Sequence, residues 1–195
     1  YGVFANDEDF NQDISNWDIS NVEDMRRMFQ NNASFNQDIS SWNISNVITM
    51  VELFENATSF NQDISSWDFS NVVAMTSLFD NSGMSKDNFN KFLIRLYQQA
   101  KNNNLSLQSE IGAINMKYDN TSYEKFDGTI AEGITGKEAY EYLTKDYGVA
   151  IKGAYEPFDE TNCSYVMKNE PEGTEELFAY DMHKLTGDSY LEYDL

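Results

Sequence analysis

Phe10-Asn11-Gln12-Asp13-Ile14-Ser15 returns unchanged at residues 35–40 and again at 60–65. The step is 25 residues each time, without insertion. The copies also share Trp17, Trp42 and Trp67, then Ser20-Asn21-Val22, Ser45-Asn46-Val47 and Ser70-Asn71-Val72. Further on they keep Met25, Met50 and Met75, then Phe29, Phe54 and Phe79, then Asn31, Asn56 and Asn81. Thirteen of 25 positions are identical in all three units, far beyond chance. One step back from Phe29 and Asn31 stand Phe4 and Asn6, so residues 1–9 read as the end of an earlier unit. One step forward from Phe60 stands Ser85, and there the pattern stops.

A unit of this length is too short to fold alone. Stacked units bury a continuous core, each touching its neighbours. Identical residues then form ladders, with Phe10, Phe35, Phe60, the Ile, the Trp, the Val, the Met and the second Phe series facing inward. Polar ladders need another role. Asn11, Asn36 and Asn61, and likewise Asn21, Asn46 and Asn71, are expected to hydrogen-bond backbone groups from turn to turn, because unpaired buried groups are costly. Val22, Met25 and Phe29 have helical spacing, and Ser20 with Glu23 has the form of a capping box. The competing reading makes Val-x-x-Met a short parallel strand with a brief helical turn near Met28-Phe29. Residues 13–19 have the composition of a second short strand.

Composition changes at residue 86. Residues 1–85 carry 13 acidic and two basic residues, 86–152 nine of each, and 153–195 eleven acidic and two basic. The spacing predicts a helix over 86–101, N-capped by Ser85, with Phe89, Leu93, Leu96, Tyr97 and Ala100 on one face. Leu105 and Leu107 alternate as a short strand, as do Ile114, Met116 and Tyr118. Residues 119–134 read as a loop. Thr135 and Glu138 open a second helix that closes near Gly148, and 149–151 form a last strand. The domains are therefore a repeat array (1–84), a C-terminal α/β cap (85–152) and an acidic, aromatic extension (153–195). The extension holds Pro157, Pro171, Cys163 and His183, and a helix is expected over 172–185.

The net charge of −20 repels nucleic acid and anionic membranes. No apolar run is long enough to span a bilayer. One cysteine makes no intrachain disulfide and no zinc site. No nucleophile–base motif accompanies the single histidine, and no phosphate-cradling glycine loop is present. No catalytic residue is assigned. Calcium is the one cofactor considered, at Asp13, Asp38 and Asp63, which offer the oxygen ligands it prefers but match no EF-hand or nonapeptide pattern. The companion series Asp18, Asn43 and Asp68 is read the same way, as solvent-facing turn caps.

The pattern F-N-Q-D-I-S-x-W-D-x-S-N-V-x-x-M-x-x-[ML]-F resembles a bacterial surface-protein repeat of about 26 residues. That repeat belongs to a lipoprotein-associated family of unknown function, akin to BspA-like leucine-rich repeats. The resemblance covers residues 4–84 and continues into the cap through Gly83-Met84-Ser85, the helix with Phe89 and Leu96, Ala139-Tyr140, Tyr142-Leu143 and residues 147–151. Val149 departs from a frequent Trp, and Asn32 and Ser82 from a favoured Ala that Ala57 keeps. The resemblance implies an α/β leucine-rich-repeat-like solenoid with short parallel strands and helical turns, on an extracellular, cell-surface or virion-surface protein. It implies adhesion or protein binding, with a protein partner or a neighbouring subunit and no chemistry. The alternative is a structural or decoration subunit of an appendage, surface layer or virion, its C-terminal extension packed on a neighbour.

Overall fold

The structure is a computed structural model that describes residues 1–121 and 133–157. Tyr1–Pro157 form one compact unit. Cys163, His183 and the helix expected over 172–185 lie outside the described residues, as does most of the loop expected over 119–134.

The Val-x-x-Met stretch is no helix. Asp24 bridges Thr49, and Thr49 bridges Ala74, both in parallel. Backbone bonds run from Met25 N to the Thr49 carbonyl (3.0 Å), Arg27 N to Val51 (3.0 Å), Phe29 N to Leu53 (3.1 Å) and Asn31 N to Glu55 (2.8 Å). The same set repeats 25 residues on, from Met50, Glu52, Phe54 and Asn56 to Ala74, Thr76, Leu78 and Asp80. Helical spacing of the apolar residues has a different origin here. Arg27, Glu52 and Ser77 hold φ near +60°, as do Asn31, Asn56 and Asn81. These left-handed kinks turn each segment so that Met25, Met28 and Phe29 all face the core. Asparagine tolerates this conformation, whereas a β-branched residue would not.

Residues 13–19 are also not a strand. Ser15 N donates to Asp13 Oδ1, Trp17 N to the Ile14 carbonyl, and Ser20 N to Asp18 Oδ1. These are successive side-chain-capped turns. The expected Ser20–Glu23 capping box gives way to one of them. Ile14 and Ile19 are buried between the turns, which explains a strand-like composition without a strand.

Between units the aromatic residues stack. Phe29 lies 5.8 Å from Phe54 and Phe54 lies 6.0 Å from Phe79, with rings within 2° of parallel. Phe35 and Phe60 sit alongside, 3.8 Å from Phe29 and 3.7 Å from Phe54 respectively. Full burial of each ring stabilises by roughly 1.5–3 kcal/mol. Trp42 and Trp67 are 6.5 Å apart and nearly parallel.

Helix α1 (Lys86–Lys101) has the expected bounds and the Ser85 cap. Its Phe89 and Phe92 meet Phe79 edge-on. Beyond it the chain returns to the stack at β1 (Ile111–Gly112), bridged to Met75. The Leu105–Leu107 and Ile114–Tyr118 strands do not form. Asn115 sits at φ 69° and breaks the second alternation. Helix α2 (Gly136–Glu141) opens with the expected Thr135–Glu138 capping box, then widens into a π-helical turn, Tyr142–Tyr147, ended by left-handed Gly148. Strand β2 (Ile151–Lys152) pairs in parallel with β1, Ile111 opposite Ile151. Tyr118 N and Tyr155 N bond the Tyr155 and Met116 carbonyls, so the paired segment runs past residue 152 to Tyr155.

Candidate functional site

Most polar side chains shared by the units are committed to bonds inside the stack. Asn36 N and Gln37 Nε2 donate to Asn11 Oδ1 (3.0 and 2.9 Å), and Asn61 N and Gln62 Nε2 to Asn36 Oδ1 (both 2.8 Å). Asn46 and Asn71 donate to the Ser20 and Ser45 carbonyls (2.7 and 2.6 Å). The Trp42 and Trp67 indoles donate to the Ile14 and Ile39 carbonyls. Asn6, Asn31, Asn56, Asn81 and Asn115 form one continuous chain of side-chain amide bonds, 2.6–3.2 Å each. Such residues hold turns together and leave little for a partner. Trp17 stands apart from its series: it is 46% exposed, against 4% for Trp42 and 1% for Trp67.

The calcium candidates are committed as well. Asp13, Asp38 and Asp63 each accept the N–H of the serine two residues on, at 2.9–3.0 Å. Hydrogen bonds from Ser15 and Ser40, side chain then backbone, hold the Asp13 and Asp38 carboxyls below their ordinary value. Asp63 also pairs with Lys91 at 3.1 Å. Among the described residues no three His, Cys, Asp or Glu side chains are gathered around a point that could hold a metal.

What remains is the bridge face. Met25, Met50 and Met75 point inward, and the residues around them point out. Those outward positions read Glu23-Asp24-Arg26-Arg27 in the first unit, Ile48-Thr49-Val51-Glu52 in the second and Val73-Ala74-Thr76-Ser77 in the third. Residue class changes from unit to unit at each of these positions. Within the array the sequence carries that signal plainly. The first row is charged and internally paired. Arg26 clasps Asp24 (2.6 Å) and holds its carboxyl down at about 2, mainly through the guanidinium hydrogen bond. Arg27 meets Glu52 across the rows at 2.5 Å and Tyr1 Oη at 3.1 Å. Gln30 adds a donor to Glu52 and another to Glu55. The next two rows are apolar at their centre, with Ile48 44% exposed and Val51, Val73 and Ala74 half-buried. Toward the cap, Glu110 pairs with Lys152. Arg26 and Arg27 are the only basic residues before Lys86, so the repeats' own basic charge lies on this face.

Among the described residues no helix is long and apolar enough to cross a membrane. No curated protein and no solved structure matches the chain. A family match covers the repeats and the start of α1: residues 1–92 are similar to the family described as "Mycoplasma protein of unknown function, DUF285".

Proposed function

We propose that this is a non-enzymatic surface or secreted repeat protein whose stacked units form the end of a solenoid and whose bridge face binds another protein. The observation that carries the reading is the division of labour among exposed residues. Recurring polar groups bond one unit to the next, and every outward position of the bridge rows changes residue class between units. An apolar centre rimmed by charged groups is the usual anatomy of a protein-binding patch. The net charge of −20 opposes a nucleic-acid partner. Kinship with BspA-like repeats and a cell-surface location fit the same reading, with no cofactor assigned and no residue in a catalytic role.

The test is capture from host and bacterial surface fractions, with the bound protein identified and then titrated against variants. Ile48→Asp with Val73→Asp should weaken binding at least tenfold, the cost expected for charge placed in a small apolar contact. Thr58→Ala, exposed away from the bridge rows, should leave it unchanged. Equal binding by all three proteins would rule out this face.

A further inference from the structure

The bridge face carries charge of both signs, but its positive groups already hold acids. Arg26 binds Asp24 through Nε and Nη2. Arg27 uses Nε and Nη2 on Glu52 and Nη1 on the Tyr1 hydroxyl. Lys152 pairs with Glu110.

Two carboxylates on the same face stay without a counter-charge. Glu55 accepts the neutral Gln30 amide at 2.5 Å. The same position in the adjoining rows holds Gln30 and Asp80, and neither is a cation. Glu23 is exposed, and no cation meets its side chain among the described residues. Both stand beside the apolar centre. Ile48 N bonds the Glu23 carbonyl at 2.8 Å and Val73 N the Ile48 carbonyl at 2.9 Å, so Glu23 heads the Ile48–Val73 column. Glu55 lies on another side, past Val51 and Glu52 in the second row.

A protein that covers Ile48, Val51 and Val73 also takes water from Glu23 and Glu55. Removing water from a carboxylate is costly unless a counter-charge replaces it. Arg26, Arg27 and Lys152 are engaged, so the counter-charge must come from the partner. A second copy of this chain is a poor source. It would bring the same two free carboxylates and another net charge of −20.

Taking the bridge face as the binding surface, we infer that its partner is a basic protein segment, an apolar centre flanked by lysine or arginine side chains that meet Glu23 and Glu55. The acidic field of the whole chain steers such a segment inward, which makes association sensitive to salt.

The test uses the intact chain and three labelled peptides of equal length, followed by fluorescence anisotropy. One has a valine–isoleucine centre flanked by lysines. The second has the same centre flanked by glutamates, and the third keeps the lysines around a serine centre. The first should bind, and the other two at least about tenfold more weakly. Glu23→Gln with Glu55→Gln should weaken that binding about three- to tenfold and flatten its fall between about 50 and 300 mM salt. Glu8→Gln with Asp9→Asn removes equal charge at exposed positions away from the bridge rows, and should change binding less than about twofold. The inference is overturned if the lysine-flanked peptide does not bind, or if the glutamate-flanked one binds as well. It is overturned too if both charge variants weaken binding alike, because then only the net field acts. Ile48→Ser with Val73→Ser separates this from the bridge-face reading. Binding lost there but kept in the Glu23 and Glu55 variant retains the face and overturns the basic partner. Binding that neither variant alters overturns both.

Discussion

The regular units and the irregular segment after α1 make the same contacts from unlike sequences. In the units, Asn31, Asn56 and Asn81 recur at 25 residues and sit left-handed, each amide bonded to the last. After α1 the step stretches to 34 residues, yet Asn115 is again left-handed and again bonds the Asn before it. Met116 N closes on the Ala113 carbonyl as Ala57 N closes on Phe54. Residues 151–155 then add a further row with no shared pattern at all. A row therefore needs little: parallel backbone bonds, one buried apolar residue, and a left-handed residue to turn the chain. The repeated sequence adds the aromatic stack and the polar bonds of the other half, which α1 replaces in the cap.

If the aromatic stack is what the regular units add, its centre should be their costliest point. Phe54 touches Phe29, Phe60 and Phe79 and is fully buried. Phe54→Ala should destabilise by about 3–5 kcal/mol. Phe10→Ala, at a half-buried ring, should cost clearly less by urea denaturation. Equal costs would mean that the stack is not cooperative along its length.

The joint between the two regions should be the next weakest point. Gly112 lies so close to Ser77 that a Cβ there would overlap its backbone, which cannot swing aside. Phe79 N also bonds the Gly112 carbonyl at 3.0 Å. Gly112→Ala should cost about 1–3 kcal/mol. At about 2–4 °C per kcal/mol for a chain of this size, the melting temperature should fall by several degrees. An unchanged value would show that the cap does not depend on this close approach.

Acid should cost the Asp119 cluster of the cap more than the Asp13 turn of the first unit. Burial pushes the Asp119 carboxyl up, but Lys86, Thr121 and Asn90 all hydrogen-bond it and together hold it well below the ordinary range. The free value is near 3.9, so this contribution is whole above about pH 5 and is lost as pH falls through the folded pKa. Asp119→Asn should therefore cost about 1 kcal/mol near neutrality, allowing for solvent screening. The difference from the parent should start to narrow below about pH 4 and close only as pH falls through the folded pKa. In the units Asp13 is exposed, and its turn should give no comparable acid signature in melting scans.

The contrast between regions also marks what sequence can carry. Periodicity gave away the units, and cap chemistry fixed α1 to the residue because Ser85 and the amphipathic face speak locally. The Val-x-x-Met conformation was not decidable from spacing. Left-handed Arg27, Glu52 and Ser77 have no composition in common, and only the neighbouring rows impose that geometry. The last row at 151–155 was hidden for a related reason, since nothing local reveals a step of 40 residues between Ile111 and Ile151. The bridge face was legible in the repeats, because each of its outward positions changes residue class between units.

The smallest effect should come with the opposite sign. Asn32 is fully buried where the next units hold Ala57 and Ser82. Its Oδ1 accepts from Ser34 N and Phe35 N, but its Nδ2 has no partner among the described residues. In the second unit Phe60 N instead bonds the Ala57 carbonyl at 3.0 Å, so the backbone has a route that needs no side chain. Asn32→Ala removes a stranded donor, whose burial costs about 1–3 kcal/mol, and gives up bonds that the backbone can remake. A net gain of about 0.5–1 kcal/mol is expected in urea denaturation. A loss would mean that the first unit cannot adopt the turn of the second, and the units would then be alike in sequence but not interchangeable in structure.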